Sequence, residues 1–140
     1  VYSTKLDKNR YNIICLAVLN NISKLILCVD TGARYTCCSY NDIDEYLTEK
    51  DFEDSEFKIL GGFVEGTTMK FYKYHLNQFT IGNINLKEQD IWVTFDDRVS
   101  DAVLGMDILS QVTFLGIENT GKLIFFNGPD EMTGYITNKV

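Results

Sequence analysis

The chain has 140 residues and a formal net charge of −7. This length supports one domain with a modest core, not two. The acidic balance, with no basic stripe anywhere, argues against nucleic acid as a partner, and no apolar run is long enough to span a bilayer or serve as a signal-peptide core.

In chain order, residues 11–19 and 24–29 are β-rich runs separated by Asn20-Asn21-Ile22-Ser23, whose asparagines suit a hairpin turn. The second run ends in Leu27-Cys28-Val29-Asp30-Thr31-Gly32-Ala33. Three apolar residues place Asp30 at the end of a buried strand, and Gly32 lets the backbone turn sharply. A carboxylate delivered to such a place is either well paired or chemically employed. Ser39-Tyr40-Asn41-Asp42 has the spacing of an N-cap with an acid three places on, and Ile43, Tyr46 and Leu47 then predict a short helix. The acidic run from Asp42-Ile43-Asp44-Glu45 through Asp51-Phe52-Glu53-Asp54 reads as a solvated face and loop rather than a surface for basic peptides.

Residues 57–60 and 69–76 read as two strands around a glycine-bearing turn that includes Gly61-Gly62. Further strands are expected over 78–81, 86–95, 113–117 and 123–126, with Gly82-Asn83 and Asn119-Thr120-Gly121-Lys122 as turns. Between them Ala102-Val103-Leu104-Gly105-Met106-Asp107-Ile108-Leu109 is a second apolar strand that ends in glycine and turns into a short helical pattern. Many short strands of this kind predict a mainly β fold, a small closed or sandwich-like β barrel with one or two short helices. One proline and no Ser/Gly-rich linker leave residues 1–140 as a single domain.

The cysteines do not form a disulfide pattern. Cys15 and Cys28 lie in apolar strand runs, where cysteine serves as a small hydrophobe. Cys37 and Cys38 point to opposite faces of an extended chain, and one histidine, His75, is too few to complete a metal site with them. No metal and no cofactor are expected. A reducing compartment, the cytoplasm, is the economical inference. The chain opens on Val1, so a flanking segment could carry an anchor.

The segments around Asp30-Thr31-Gly32-Ala33 and Leu104-Gly105, in that order and at that spacing, resemble the retropepsin-like aspartic proteases over roughly residues 10–126. Leu-Gly-Met-Asp is closer to the retrotransposon, cellular and bacterial members than to the retroviral ones. The resemblance implies an acid-protease-like barrel acting as a homodimer: a bilobal enzyme has two Asp-Thr/Ser-Gly turns, whereas this chain has one, since Asp96-Asp97-Arg98 and Asp101-Ala102-Val103 lack the glycine. The residues at 11–19 and 123–126 are candidates for the dimer interface or for closing the barrel.

The resemblance further implies that Asp30 and its copy share one proton and activate a water between them, without an acyl-enzyme. Thr31 matches the residue that hydrogen-bonds across the dimer, and Gly32 the glycine whose backbone contacts the dyad and the bound peptide. Ala33 would lie beside the substrate channel, and Arg34 is a candidate substrate contact whose placement stays open. Phe63-Val64-Glu65-Gly66-Thr67 is the candidate flap tip over an extended protein or peptide substrate, with Gly61-Gly62 as its hinge; a plain surface hairpin is the alternative. Retroviral relatives carry an acid after the Ala and an arginine after the second Gly, where this chain has Arg34 and Met106, with Asp107 next. Arg34 then either pairs with Asp107 beneath the turn, faces the cleft and favours acidic side chains, or is an exposed loop charge. The function expected is a homodimeric aspartic endopeptidase; the alternative is a catalytically weak or inactive dimerisation or peptide-binding module of the same fold.

Overall fold

A computed structural model describes residues 2–7, 12–45, 47–117 and 122–139. The first strands are β1 (Tyr2–Ser3), β2 (Lys5–Asp7), β3 (Asn12–Leu19), β4 (Ser23–Val29) and β5 (Cys37–Ser39). β3 and β4 form the expected antiparallel hairpin, in register from Ile14↔Cys28 to Leu19↔Ser23. Its turn needs two left-handed residues, and Asn20 (φ 51°) and Asn21 (φ 59°) supply them. The Asn20 amide oxygen also accepts from the backbone N–H groups of Asn77 (2.8 Å) and Gln78 (3.1 Å), tying the turn to a distant loop.

After β5 the expected helix shrinks to a 3-10 turn, Tyr40–Asp42. Its capping box forms as the spacing predicts: Ser39 Oγ accepts from Asn41 N–H (3.3 Å) and Asp42 Oδ2 from Ser39 N–H (3.2 Å). Propagation fails at Ile43, whose φ of −131° breaks the spiral so that its side chain enters the core. Tyr46, assigned to the same helical face, lies outside the described residues. A second 3-10 turn, Glu49–Phe52, plants Phe52 among Tyr40, Tyr72, Tyr74 and Phe95. Asp44, Glu45, Glu49, Asp51, Glu53 and Asp54 around these anchors are exposed.

The remaining elements are β6 (Phe57–Gly61), β7 (Thr68–Leu76), β8 (Phe79–Ile81), β9 (Ile84–Asn85), β10 (Gln89–Thr94), β11 (Ala102–Leu104), α1 (Met106–Leu109), β12 (Thr113–Ile117), β13 (Lys122–Phe126) and α2 (Pro129–Lys139). β10 starts later than the sequence suggests because Lys87 sits at φ 62°, its N–H held by Asn85 Oδ1 at 2.8 Å. α2 goes beyond the sequence expectation. Its signal is nonetheless present, since Pro129 opens the helix and Asp130 and Glu131 follow in the first turn. No helix of the described residues is long and apolar enough to cross a membrane.

Mainly β content with short helices agrees with expectation, whereas the closed barrel does not appear among the described residues. The larger sheet runs β6-β7-β10-β5-β11-β4-β3-β8-β9 and ends on two different edges, with β2 also paired to β3. The second edge of β3 is shared between two short strands, β2 opposite residues 12–14 and β8 opposite residues 17–19, and β9 continues the sheet beyond β8. Among the described residues the two ends of the path, β6 and β9, do not pair with each other, so the ring stays open. The smaller sheet is β1-β13-β12. Of the candidate strands for an interface or a closure, β3 has β4 on one side and β2 and β8 on the other, and β13 lies between β12 and the two-residue β1; Tyr11, at the start of the first candidate run, lies outside the described residues.

Leu27, Ile81, Ile91, Leu104, Ile108 and Leu109 are fully buried in the main core, which packs between β3, β4, β10, β11 and α1. A second cluster of Cys37, Met69, Phe71, Trp92 and Val99 lies under the β6–β7 hairpin. Cys15, Cys37 and Cys38 are buried free thiols. Burial pushes the thiols of Cys15 and Cys37 up to about 12, with the Asp107 charge adding to the effect at Cys37. They behave as small hydrophobes.

Candidate active site

β4 and β11 run parallel, with Leu27↔Ala102, Cys28↔Val103 and Val29↔Leu104 in register. The last rung lies just past β4, where Asp30 N–H donates to Leu104 O at 3.1 Å. From there the chain leaves the sheet and the Asp30 side chain is exposed. Its Oδ1 accepts from Gly32 N–H at 2.9 Å, and Ala33 N–H closes the turn onto Asp30 O at 3.2 Å. A Cβ at position 32 would sit 3.2 Å from Asp30 Oδ1, crowding the carboxylate.

Beyond the turn, residues 33–36 are laced to the start of α1. Met106 N–H donates to Ala33 O (2.8 Å) and Asp107 N–H to Arg34 O (3.1 Å). In return Asp107 accepts twice from Thr36: N–H to Oδ2 at 3.0 Å and Oγ1–H to Oδ1 at 2.7 Å. Thr36 Oγ1 accepts in turn from Gly105 N–H at 3.0 Å. The strands approach so closely here that a Cβ at Gly105 would lie 2.6 Å from the Tyr35 backbone. That distance explains the glycine better than any turn requirement.

This lacing replaces the ion pair considered between Arg34 and Asp107. Asp107 is engaged by Thr36, and Arg34 is exposed, its guanidinium 5.5 Å from the centroid of the Tyr35 ring. Sequence reasoning missed Thr36. The available signal was a hydroxyl residue heading straight into Cys37-Cys38, where a polar group entering the core needs a partner.

A groove of about 580 Å³ opens beside Asp30. Gly32, Ala33 and Arg34 line it on the turn side, Leu60, Gly61, Gly62 and Phe63 on the hairpin side, and residues 98–101 with Val103 opposite. The candidate flap is the β6–β7 hairpin, paired from Phe57↔Tyr72 to Gly61↔Thr68. Gly62 (φ 96°) and Gly66 (φ 74°) turn its tip, and Val64 O accepts from both Thr67 N–H (3.2 Å) and Thr67 Oγ1–H (3.1 Å). Phe63 stacks on Phe71 at 4.9 Å, which pins the tip against the second cluster. Of the expected site residues, Asp30, Gly32, Ala33, Arg34 and Phe63 thus share one groove. Thr31, Glu65 and Gly66 are exposed beside it, and Val64 packs on the second cluster; these four do not form its wall.

Arg98 is a wall residue the sequence reading passed over. Asp96 receives its Nε–H (3.0 Å) and Nη2–H (2.7 Å), and these bonds hold the Asp96 carboxyl down at about 2. Among the described residues no group of three or more His, Cys, Asp or Glu side chains is arranged to hold a metal ion.

Residues 17–111 match the family described as "gag-polyprotein putative aspartyl protease". A solved structure, a retropepsin-like aspartic protease from Rickettsia conorii, is similar in fold, with a TM-score of 0.69 at 21% identity over 89% of this chain and 88% of that one. No curated protein matches. The family match takes in more than half of the chain, including both the Asp30 turn and the Leu104-Gly105 segment that braces it: the chain belongs to this family of aspartyl proteases and has a retropepsin-like fold.

Proposed function

We propose that the chain is a homodimeric aspartic endopeptidase that cleaves extended polypeptide segments with Asp30 and the Asp30 of a second copy. Family and fold support an aspartic peptidase. The observation that carries the finer reading is the exposed Asp30 carboxylate, held by Gly32 N–H at the wall of a peptide-sized groove, in a chain with one Asp-Thr-Gly turn. One carboxylate is half of the chemistry, so the second comes from the partner copy.

In this reading the ionised member of the pair takes a proton from water, and the water oxygen attacks the scissile carbonyl carbon. The neutral member passes its proton to the carbonyl oxygen, which becomes the second hydroxyl of a tetrahedral diol, and is left ionised to take a diol proton back on collapse. Collapse of the diol breaks the C–N bond as a carboxyl passes its proton to the departing nitrogen. Gly32 orients the carboxylate, and Thr31 braces the paired turns across the two-fold axis. Ala33, Arg34 and Phe63 bound the substrate groove, with Val64, Glu65 and Gly66 covering it from the hairpin tip. Substrate lies as an added strand between hairpin and turn, its main chain giving affinity and its side chains preference.

The test is cleavage of an unstructured protein library, analysed by mass spectrometry. Turnover is expected in the native chain, to be abolished by Asp30→Asn and by a statine peptide that mimics the diol. Activity persisting in pure Asp30→Asn protein would place the chemistry elsewhere. A dimer that binds peptides without cutting them would identify a binding module.

A further inference from the structure

We propose that Arg34 makes the groove selective for peptides that present a carboxylate side chain, Asp or Glu, beside the scissile bond. This deepens the peptidase reading and rests on it for the position of the peptide. Arg34 follows the Asp30 turn directly and stands exposed on the groove wall. A cation there would ordinarily be neutralised by a neighbouring acid. The nearest candidate in the lacing, Asp107, has its oxygens committed to Thr36 N–H, Thr36 Oγ1–H and Ile108 N–H. Among the described residues no carboxylate forms an ion pair with Arg34.

What holds the guanidinium is an aromatic face. The Tyr35 ring lies 5.5 Å from it and is itself set edge-on against Trp92 (5.8 Å between centroids, 64° between planes). Lys58 Nζ approaches the same two rings, at 5.1 Å from Tyr35 and 5.0 Å from Trp92. A ring anchored in this way restricts Arg34 while leaving its N–H fork unspent, so a carboxylate can be met at a low entropic cost. Arg98, the other arginine of the wall, contrasts with it, since two of its donors are already engaged by Asp96. The wall therefore offers one guanidinium without a carboxylate partner among the described residues, fixed beside the reacting group. Asp30 and Asp101 also line the groove, so a preference for lysine is the competing outcome.

The experiment uses extended, unstructured peptides matched except for Glu, Gln or Lys at each position in turn. Binding is read by fluorescence anisotropy on the whole Asp30→Asn chain, and kcat/KM on the native chain. At one position Glu is expected to bind about tenfold tighter than Gln, the low end of a charge-assisted hydrogen bond. Arg34→Gln should bring that ratio to near one, and Arg34→Glu should turn the preference toward Lys. Equal binding of Glu and Gln peptides, no Glu-dependent binding at all, or a Glu preference that survives Arg34→Gln overturns the proposal. The two readings fail separately. Turnover without Glu preference removes only the role of Arg34, and Glu-selective binding with no cleavage of any peptide removes only the peptidase.

Discussion

Asp107 holds the residues beyond the active turn in place through Thr36, which is buried to 1% exposure. Asp107→Ala would leave the Thr36 N–H and hydroxyl without their acceptor. At ~1–3 kcal/mol for each buried group left unpaired, a loss of about 2–6 kcal/mol is expected in urea unfolding. Arg34→Ala should change stability by no more than about 0.5 kcal/mol, because the side chain is exposed and meets no carboxylate among the described residues. The two changes should be additive in a double-mutant cycle; coupling beyond ~0.5 kcal/mol would mean that the ion pair forms after all. His75, the sole histidine, donates its Nδ1–H to Asp90 Oδ1 at 2.8 Å, with Glu88 at 3.8 Å. The hydrogen bond to Asp90 and then the two acidic charges raise its pKa above 6.5. A raised folded value means that the imidazolium contributes stability fully below the unfolded value, and that this contribution is lost as pH rises through the folded one. An NMR titration should therefore place the His75 midpoint above 6.5, and Asp90→Asn should lower it.

At the scale of elements, the glycines of the groove differ in what they do. Gly62 and Gly66 have left-handed φ angles and nothing within 4 Å of where a Cβ would sit, so their role is conformational alone. Gly66→Ala should cost about 1 kcal/mol, the strain of a left-handed Cβ, and should act locally. Hydrogen exchange is expected to accelerate across β6 and β7 while β4 and β11 keep their protection. Gly105→Ala is a different matter, because its Cβ would meet the Tyr35 backbone at 2.6 Å. That overlap can be relieved only by separating the active turn from α1, so a loss of several kcal/mol or failure to fold is expected, measured by thermal melting.

At the scale of the molecule, the proposed shared dyad makes catalysis and assembly the same question, because the chain carries one Asp-Thr-Gly turn. Sedimentation should show twice the chain mass under conditions of turnover, and specific activity should fall on dilution as dimers separate. Full activity in a monomer would contradict the shared dyad. Cleavage should also follow a bell-shaped pH profile with its optimum on the acidic side of neutrality, because the pair works with one proton between its members. Among the described residues, β6, β9 and β2 in one sheet and β1 and β12 in the other are paired on one side only, and these edges are where a second copy can add strands.

By itself the sequence determined the local order of this protein. The apolar run ending in Asp30, the Asn20-Asn21 hairpin, the Ser39 capping box and the glycine-turned β6–β7 hairpin all follow from residues a few places apart. Such features are legible because their physics is short-range: alternation, left-handed φ and side-chain capping. Tertiary structure decided the rest. Whether Asp107 met Arg34 or Thr36 depended on a contact spanning 71 positions. The open sheet depended on whether its end strands β6 and β9, distant in the strand order, met each other, which among the described residues they do not. Arg98 joined the groove only because residues 98–101 fold back opposite the Asp30 turn. None of these has a local signature, since each is set by which backbone surfaces pack together and by what polar partners remain once they do.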